Sequence, residues 1–549
     1  MPVLQRWFTP LLMLGILLNA TGLFSDILET DGTLYADVAK HMVTHNDWVN
    51  LFAYGADWLD KPHFPFWVTA LSFKIFGLTS FGYKLPGFLF WLAGLRYTYL
   101  FAKQLYNEPI AKLSVLVYLI ALHAVIGNFD VRAEPFLTTL TIGAIYHMYC
   151  VMQGNNLRHL VLAALFCACA VMTKGVFILI TISAGFVLFW VIKKDWKQFI
   201  SPKWWLLLLL TFVFTLPELW CLYQQFDTHP EKVVFNTTHV SGIKFFFWDS
   251  QFGRFFNTGP IKGSGDLSFF LHTTLWAYLP WSVLLYVAVF AGIFKKRTAN
   301  QPHMWVVYGS AVVTFIIFSV SKFQLPYYIT ILFPHFSIMV ASYLSSVQAQ
   351  AAEKRIGAVQ TFILVIAMVF AIGLSIFAAL PNMVAVIACA LAIGCWPLFS
   401  KSGTFIEKIL KISYGYATIL YLFMNLVFYP TILQYQSSVQ AARLVNSEFA
   451  NYTVGMTVNN SGFEFYTKPA VARLFKADSI PQYARQHPLV VYTDETGLKN
   501  ITQQPLQVKV LQRFQDFHIS MLTGDFINAK TRSQATHSMF LIKVTPQAN

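Results

Sequence analysis

Carboxylates between Asp31 and Asp60 are the residues in this sequence best suited to chemistry. Asp31 precedes Tyr35 by one helical turn, so on a helix the two side chains share a face. An aspartate there can act as a general base for an acceptor hydroxyl or bind a metal ion, and a simple helix N-cap is the alternative. The segment follows directly on an apolar run, where charges are costly unless they are solvated, paired or used. Its five aspartates are Asp31, Asp37, Asp47, Asp57 and Asp60.

Several cations occupy positions from which they could bind an anion. In Asp60-Lys61-Pro62 the lysine offers a point charge and three donors, which suit a phosphate, and an exposed ion pair is the alternative. Lys174 and Lys322 lie at corners between apolar runs, where snorkelling to lipid headgroups is the other explanation. Arg254 lies in a stretch rich in Phe and Trp and would face a cavity. These cations are candidate ligands of a lipid phosphate.

Asp130, Arg132 and Glu134 form a further charged group with spacing i, i+2 and i+4. On a helix Asp130 and Glu134 share a face, whereas in an extended corner all three side chains align. Pro135 disfavours helix at Glu134 and can start the next helix in its first turn. The pattern fits a paired acid/base or phosphate-binding cluster and a solvated cap equally well.

Other kinds of chemistry receive little support. His239 and His272 are candidate metal ligands, but without HxxxH or HxH spacing a lone histidine is more often a hydrogen-bonded interfacial residue. No P-loop, GxGxxG or GxSxG context occurs, so neither a nucleotide cofactor nor hydrolase chemistry is expected. The six cysteines show no disulfide framework or CxxC zinc spacing.

Composition predicts an all-α polytopic membrane protein. The 549 residues are 56% hydrophobic, and apolar runs of about 20 residues recur along the chain. The net charge of +14 resides in short loops between these runs, which is typical of membrane topology and gives no reason to expect a nucleic-acid partner. We expect about thirteen spans. They fall near 8–27, 84–103, 110–127, 136–152, 157–172, 175–192, 203–222, 269–294, 303–320, 325–346, 356–377, 381–399 and 412–434.

Loop charge predicts the orientation. With the N-terminus in the cytoplasm, the dense basic clusters, such as those at 193–197 and 295–297, fall on the cytoplasmic side. The outer side then receives 28–83, 223–268 and everything after 435. Within the first of these, 32–45 is predicted to be a short amphipathic helix, because Leu34, Val38 and Met42 recur at i, i+4 and i+8. The ionisable residues thus concentrate on an outer functional face.

The segment 436–549 is predicted to form a small α/β domain outside the membrane, following a transmembrane part over 1–435. Charged and amide residues become more frequent there, and apolar runs shorten. Helices are expected near 437–450 and 480–486. Strands are expected at Val454–Val458, Phe463–Tyr466, Leu489–Tyr492, Val508–Leu511 and Met539–Val544.

As an ordered set, these motifs resemble the ArnT-like aminoarabinose transferases, which are relatives of the protein O-mannosyltransferases and share the GT-C glycosyltransferase architecture. The resemblance covers roughly residues 10–340, and beyond that only the general layout agrees. It rests on Asp31-x-x-x-Tyr35-Ala36, Asp47-Trp48, Asp60-Lys61-Pro62, Lys84-Leu85-Pro86, Lys174-Gly175, Pro280-Trp281-Ser282 and the run from Ser321 to Tyr328.

The resemblance implies an inverting transferase that moves a sugar from a polyprenyl phosphate carrier, such as undecaprenyl phosphate, to an acceptor on the periplasmic side of the bacterial inner membrane. In it, Asp31 matches the essential acidic residue and Lys61 the lysine that holds the lipid phosphate. Asp60 matches an acidic residue that can help to hold a divalent ion such as Zn, Mg or Mn, and His239 and His272 are the candidate histidine ligands. Arg132 and Glu134 match an Arg-x-Asp pattern in which Glu134 replaces the aspartate. The predicted site residues are therefore Asp31, Glu134 and Asp130 for catalysis, and Lys61, Arg132, Lys174, Arg254, Lys322, Tyr35 and Tyr328 for the lipid phosphate.

Two departures bear on the acceptor and the sugar. Gly32 stands where the family has an acidic residue, and Leu34 stands where an arginine often precedes the tyrosine. The expected acceptor is lipid A or another surface glycolipid, and a secreted protein is the second possibility. A sugar-lipid transporter or flippase is the rival class, and it predicts ionisable residues near mid-span in paired half-repeats, which the sequence does not show.

Overall fold

The computed structural model is built mainly of helices and describes residues 2–154, 157–293, 302–380, 384–399, 403–476, 479–486 and 488–546. The predicted basic cluster at 295–297 lies outside these ranges. Ahead of the C-terminal part, the helices of eight residues or more are Pro2–Ala20, Asp31–His45, Phe64–Phe76, Ser80–Leu105, Glu108–Leu119, Leu122–Phe129, Glu134–Met152, Leu157–Lys174, Ile178–Lys193, Pro202–Leu222, Phe269–Ala277, Ser282–Ile293, Trp305–Val320, Phe333–Ser345, Gln350–Phe377, Val384–Phe399 and Phe405–Phe423.

The helices confirm a multi-pass membrane architecture. Among the described residues, six helices are long and apolar enough to cross a membrane, and Glu108–Leu119 with Leu122–Phe129, bent by 56°, makes a seventh candidate. Each of the predicted spans overlaps a helix or a pair of helices. Several of those helices, such as Ile178–Lys193, are shorter than a full span. The count of about thirteen crossings therefore stays a prediction.

The first long loop folds as the amphipathic pattern predicts. Its first helix runs over Asp31–His45, and buried Leu34, Val38 and Met42 pack against Phe66 and Ala70 of the helix Phe64–Phe76. Between the two helices lies a hairpin of strands β1 (Phe52–Ala53) and β2 (Ala56–Asp57).

The loop 223–268 contains a continuous helical stretch from Gly242 to Phe256. Its middle, Phe245–Gly253, has π-helical hydrogen bonding. Such π segments are rare and frequently occur at functional sites. This one carries Gln251 and ends at Arg254, and both residues line a cavity described below.

The C-terminal part is a five-stranded mixed sheet with helices. Its strands are β3 (Thr453–Met456), β4 (Val471–Arg473), β5 (Leu489–Asp494), β6 (Leu506–Asp516) and β7 (His537–Pro546), in the order β4-β3-β5-β7-β6. β3 pairs in parallel with β4 and β5, whereas β7 pairs antiparallel with β5 and β6. Alternate residues of β5 belong to two separate apolar clusters, with Val490 and Tyr492 in one and Leu489 and Val491 in the other. The sheet therefore buries both of its faces.

The helices of six residues or more in the described residues of this part are Ser437–Glu448, Ser461–Tyr466, Ile480–Gln486 and Glu495–Thr502. The strand predicted at 463–466 is wrong, because that segment is helical. Asn460 Oδ1 caps it by accepting the Phe463 N–H at 2.8 Å. β4 and the helix Glu495–Thr502 were not predicted.

The C-terminal part packs directly on the helix Asp31–His45. Thr33 Oγ1 lies 2.8 Å from Ser461 Oγ. Lys40 Nζ donates to the carbonyl oxygens of Glu464, Phe465 and Thr467 at 2.6, 3.1 and 2.8 Å. The ammonium thus uses all three donors on the C-terminal end of Ser461–Tyr466, where the helix dipole favours a cation.

We expect Lys40→Met to loosen this docking by about 2 kcal/mol, because it leaves buried carbonyls without their charged donor. Thermal unfolding and limited proteolysis of the detergent-solubilised protein measure the loss. Arg443→Met is the control, because Arg443 is 61% exposed in its ion pair with Asp26 and such pairs contribute little. Equal losses in both variants would contradict the assignment.

The same contact is expected to weaken as pH rises. Burial raises the pKa of Asp37 to about 7, with Glu464 adding to the shift and Lys40 and Arg473 opposing it. Burial likewise raises the pKa of Glu29 to about 7, against a lowering hydrogen bond from Ser438. The folded state therefore retains protons that the unfolded chain has released, so stability falls between about pH 4 and pH 7 and then levels off.

Melting temperatures measured across this interval, and compared with those of the double variant Asp37→Asn and Glu29→Gln, test the dependence. The double variant is expected to have the flatter profile. An unchanged slope would assign the pH dependence to other groups.

Candidate active site

Asp31 and Asp130 share one arginine. Asp31 is the first residue of the helix Asp31–His45, and its carboxylate pairs with the Arg132 guanidinium. Arg132 also donates from Nε to Asp130 Oδ2 at 3.0 Å. The Tyr327 ring centroid lies 4.6 Å from Arg132 Cζ, within the range of a cation–π contact. Arg132, predicted to bind phosphate, thus pairs with both aspartates in this arrangement.

Asp60 lies between two cations. One carboxylate oxygen pairs with the Lys61 ammonium and the other with the Arg254 guanidinium. Arg254 Nη2 also reaches the Asp60 carbonyl oxygen at 3.3 Å. Burial would raise the pKa of Asp60, but Lys61 and Arg254 outweigh that effect and hold it below its usual value. One acid against two cations leaves this group with a net charge of +1.

Glu134 and Lys174 form a third pair. Lys174 Nζ lies 2.6 Å from Glu134 Oε1 and 3.9 Å from the ring centroid of Tyr328. Glu134 Oε2 is buried and has no hydrogen-bond partner among the described residues. Because Pro135 occupies the first turn of the helix Glu134–Met152, Glu134 begins that helix close to the Asp130–Arg132 corner.

Two adjoining cavities meet at these side chains. One, of about 300 Å³, is lined by polar and aromatic groups that include Asp31, Tyr35 and Tyr327. The other, of about 150 Å³, is mainly apolar and runs between Phe245, Phe318 and Ile331. The residues common to both are Asp60, Lys61, Glu134, Lys174, Phe323 and Tyr328. A polar chamber and an apolar chamber therefore share one charged wall.

Most of the predicted residues converge here, and Lys322 does not. The Lys322 side chain is exposed and lines neither cavity, whereas its neighbour Phe323 lines both. Lys322 was chosen by the same signal as Lys174, a cation at an outer corner. The two lysines differ in where their side chains lie, because Lys174 lines both cavities and Lys322 lines neither.

The residues proposed for a metal do not fit a divalent ion. Asp60 is the carboxylate among them, and both of its oxygens are bound by cations. His239 and His272 are exposed, with His239 Nδ1 beside Thr238 and the His272 ring against Phe269. Among the described residues, no three His, Cys, Asp or Glu side chains are grouped to hold a metal. The metal prediction thus has no site in this arrangement.

Sequence reasoning missed a buried acid at the edge of the apolar cavity. Glu218 is fully buried, lines that cavity and binds His63. It is the single charged residue in the apolar run from Trp204 to Leu222. An isolated acid in such a run is itself a signal of function, and it could have identified this position.

Comparison with known proteins supports the resemblance. Residues 60–221 match the family described as dolichyl-phosphate-mannose-protein mannosyltransferase. The undecaprenyl phosphate-alpha-4-amino-4-deoxy-L-arabinose arabinosyl transferase of Edwardsiella ictaluri is 27% identical over 354 residues, which cover 63% of this chain and 60% of that protein. The enzyme of the same name from Shewanella sediminis is 25% identical, with coverages of 64% and 62%. The chain thus aligns with less than two thirds of the length of these relatives.

The fold is similar over almost the whole chain. The crystal structure of ArnT from Cupriavidus metallidurans, bound to undecaprenyl phosphate, superposes with a TM-score of 0.74 at 16% identity and covers 98% of each chain. The motif-based resemblance is confirmed, and the chain has an ArnT-like GT-C fold that includes the small C-terminal sheet.

Proposed function

We propose that this protein is an integral-membrane glycosyltransferase that transfers a monosaccharide from a polyprenyl phosphate carrier to an acceptor outside the cytoplasmic membrane. The observation that carries the proposal is the charged wall common to the polar and apolar cavities. A polyprenyl phosphate sugar consists, in order, of an apolar chain, an anionic phosphate and a polar sugar ring, which matches the order of apolar cavity, charged wall and polar cavity. The apolar cavity suits the chain, the cations suit the phosphate, and the polar cavity suits the sugar.

Lys61 and Arg254 are the proposed ligands of the carrier phosphate, with Lys174 and Tyr328 beside them. The group of Asp60, Lys61 and Arg254 has a net positive charge, so it attracts an anion even while Asp60 is paired. The phosphodiester of the sugar donor carries one negative charge and can compete with the Asp60 carboxylate for both cations, since charge-assisted bonds to phosphate are strong. The same cations stabilise the charge that develops on the leaving phosphate.

Asp31 is the proposed general base. Its carboxylate accepts the proton of the acceptor hydroxyl while the acceptor oxygen forms a bond to the anomeric carbon. The bond from that carbon to the phosphate oxygen breaks, and the electron pair leaves with the polyprenyl phosphate. A single displacement of this kind inverts the anomeric centre. Arg132 and Asp130 orient Asp31, and the free Glu134 Oε2 is available to a sugar hydroxyl. No step requires a metal ion.

The acceptor we favour is a glycolipid such as lipid A, and the names of the similar arabinosyl transferases support undecaprenyl phosphate as the sugar carrier. We place the protein in the inner membrane of a bacterium, with the N-terminus cytoplasmic and the part after 435 periplasmic. The distribution of basic loops supports this orientation. A protein hydroxyl is the second candidate acceptor, because the matched family is described as a protein mannosyltransferase.

Replacing Asp31 by Asn is expected to lower transfer about 10²–10⁴-fold, the usual contribution of a general base, without weakening carrier binding. Transfer from a purified undecaprenyl phosphate sugar, with binding measured on the same preparation, checks both. Asp47→Asn is the matched control, since Asp47 caps its own turn through Asn50. Unchanged transfer in Asp31→Asn would remove the catalytic assignment.

Lys61→Met is expected to weaken binding of undecaprenyl phosphate about 10–100-fold, because a charged hydrogen bond contributes about 1.5–3 kcal/mol. Lys74→Met is the control, because Lys74 is an exposed cation of the same loop. Isothermal titration calorimetry in detergent measures the affinity of each variant for undecaprenyl phosphate. Equal affinities would show that Lys61 does not hold the phosphate.

Mass spectrometry can separate the two acceptors. It compares the envelope lipids and secreted proteins of the parent strain, a deletion strain and the complemented deletion strain. A glycolipid acceptor predicts that a sugar-bearing lipid disappears while protein glycosylation is unchanged. The reverse result would move the acceptor to the second candidate.

A further inference from the structure

Two fully buried side chains, His63 and Glu218, form a pair that the chemistry above does not use. Glu218 lies in the helix Pro202–Leu222, and His63 follows Lys61 by two residues. The backbone N–H of His63 donates to Glu218 Oε2 at 3.0 Å, and Nδ1 of the His63 imidazole lies 3.0 Å from Glu218 Oε1. His63 Nε2 lies 2.8 Å from the Val49 carbonyl oxygen. Each polar atom of both side chains thus has a partner.

The pair holds one shared proton. A carbonyl oxygen only accepts, so His63 Nε2 carries a hydrogen and donates it to Val49. The contact between Nδ1 and Glu218 needs one further proton, either on the imidazole or on the carboxyl group. Both arrangements make the same hydrogen bonds. These hydrogen bonds therefore hold His63 and Glu218 in place whether the pair is neutral or an ion pair.

The π-helical continuation of the same helix, Tyr223–Asp227, and the residues after it hold the loop at further points. Gln225 Oε1 accepts the Leu51 N–H at 2.9 Å, and Gln225 Nε2 donates to the Leu51 carbonyl oxygen at 2.8 Å. Gln225 Nε2 also reaches Asp57 Oδ1 at 3.0 Å, and Lys232 pairs with that oxygen at 2.8 Å. The backbone around Lys61 is thus fixed on both sides, at Asp57 before it and at His63 after it.

We propose that Glu218 is a positioning residue, which acts through His63 to hold Lys61 at the wall common to the two cavities and so sets the affinity for the carrier phosphate. This inference rests on the proposed function. Glu218, Lys61 and Pro62 all line the apolar cavity. One helix therefore both borders the space for the isoprenoid chain and anchors the residue that receives the phosphate.

Substitutions at Glu218 separate position from charge. In Glu218→Gln the amide oxygen can accept the His63 N–H, and the amide nitrogen can donate to Nδ1 of a neutral imidazole, so the geometry is kept without the carboxylate. Glu218→Leu removes both contacts at similar volume. Glu218→Asp keeps the acid but withdraws it by one methylene, and it supplies the answer if the leucine variant does not fold.

The test measures the Kd of undecaprenyl phosphate and the transfer kinetics on the full chain in detergent. We expect a Kd at least about 10-fold weaker in Glu218→Leu and Glu218→Asp, and within about 3-fold of the parent in Glu218→Gln. KM for the carrier should rise, and kcat at saturating carrier should fall by less than it does in Asp31→Asn, since the proposed base is untouched and only the cation that stabilises the leaving phosphate is displaced.

Gln360→Leu is the control for a general loss of stability. Gln360 is buried and binds the Pro280 carbonyl oxygen at 3.0 Å and Ser413, and it lines neither of the two cavities. We expect it to lower the melting temperature and leave the carrier Kd unchanged.

The outcomes distinguish this inference from the proposed function. Parent-like carrier affinity in a folded Glu218→Leu or Glu218→Asp variant overturns the positioning role alone. A glutamine variant as weak as the leucine variant also overturns it, because charge would then be the requirement. If the parent protein binds no polyprenyl phosphate, the proposed function fails, and the inference fails with it.

Discussion

Mutual neutralisation of buried charges is the constraint on which this site depends. Ions taken out of water cost several kcal/mol each unless they are paired with good geometry. Here Arg132 pairs with both Asp31 and Asp130, Lys174 pairs with Glu134, and Lys61 and Arg254 both pair with Asp60. The first two groups together hold three acids against two cations, and the third holds one acid against two. In the proposed function, the negative side accepts a proton and the positive side binds the phosphate.

The two sides are positioned by different parts of the molecule. Asp31 begins a helix whose outer face is held by the C-terminal part, through Thr33 and Lys40. Lys61 follows a loop that is anchored to the helix ending at Leu222 and to its continuation. The relative placement of Asp31 and Lys61, the proposed base and phosphate ligand, therefore depends on the packing of the C-terminal sheet and the helical bundle against the first loop. This dependence gives the C-terminal part a structural role at the proposed site.

Much of this arrangement could be predicted because charge is rare in an apolar chain. Asp31, Lys61, Arg132, Glu134 and Lys174 were identified as charges in unusual places, and they converge. The pairing could not be predicted, because Arg132 lies 101 residues from Asp31 and Arg254 lies 194 residues from Asp60. At Lys322 the same signal failed, since position at a corner does not fix where a long side chain points. At 463–466 an apolar alternation typical of a strand was overridden by the local cap from Asn460.

The pairing of Asp60 with Arg254 also bears on how the phosphate is held. A carboxylate beside a phosphate site usually serves to hold a divalent cation, which then bridges to the anion. Here an arginine from the π-helical stretch 242–256 occupies that place, and Lys61 covers the other oxygen. In the proposed transfer, the carrier phosphate would replace the Asp60 carboxylate as the ligand of these two cations. Their side chains would then supply the positive charge that phosphate departure requires, and Asp60 would keep the two cations together in the absence of the carrier.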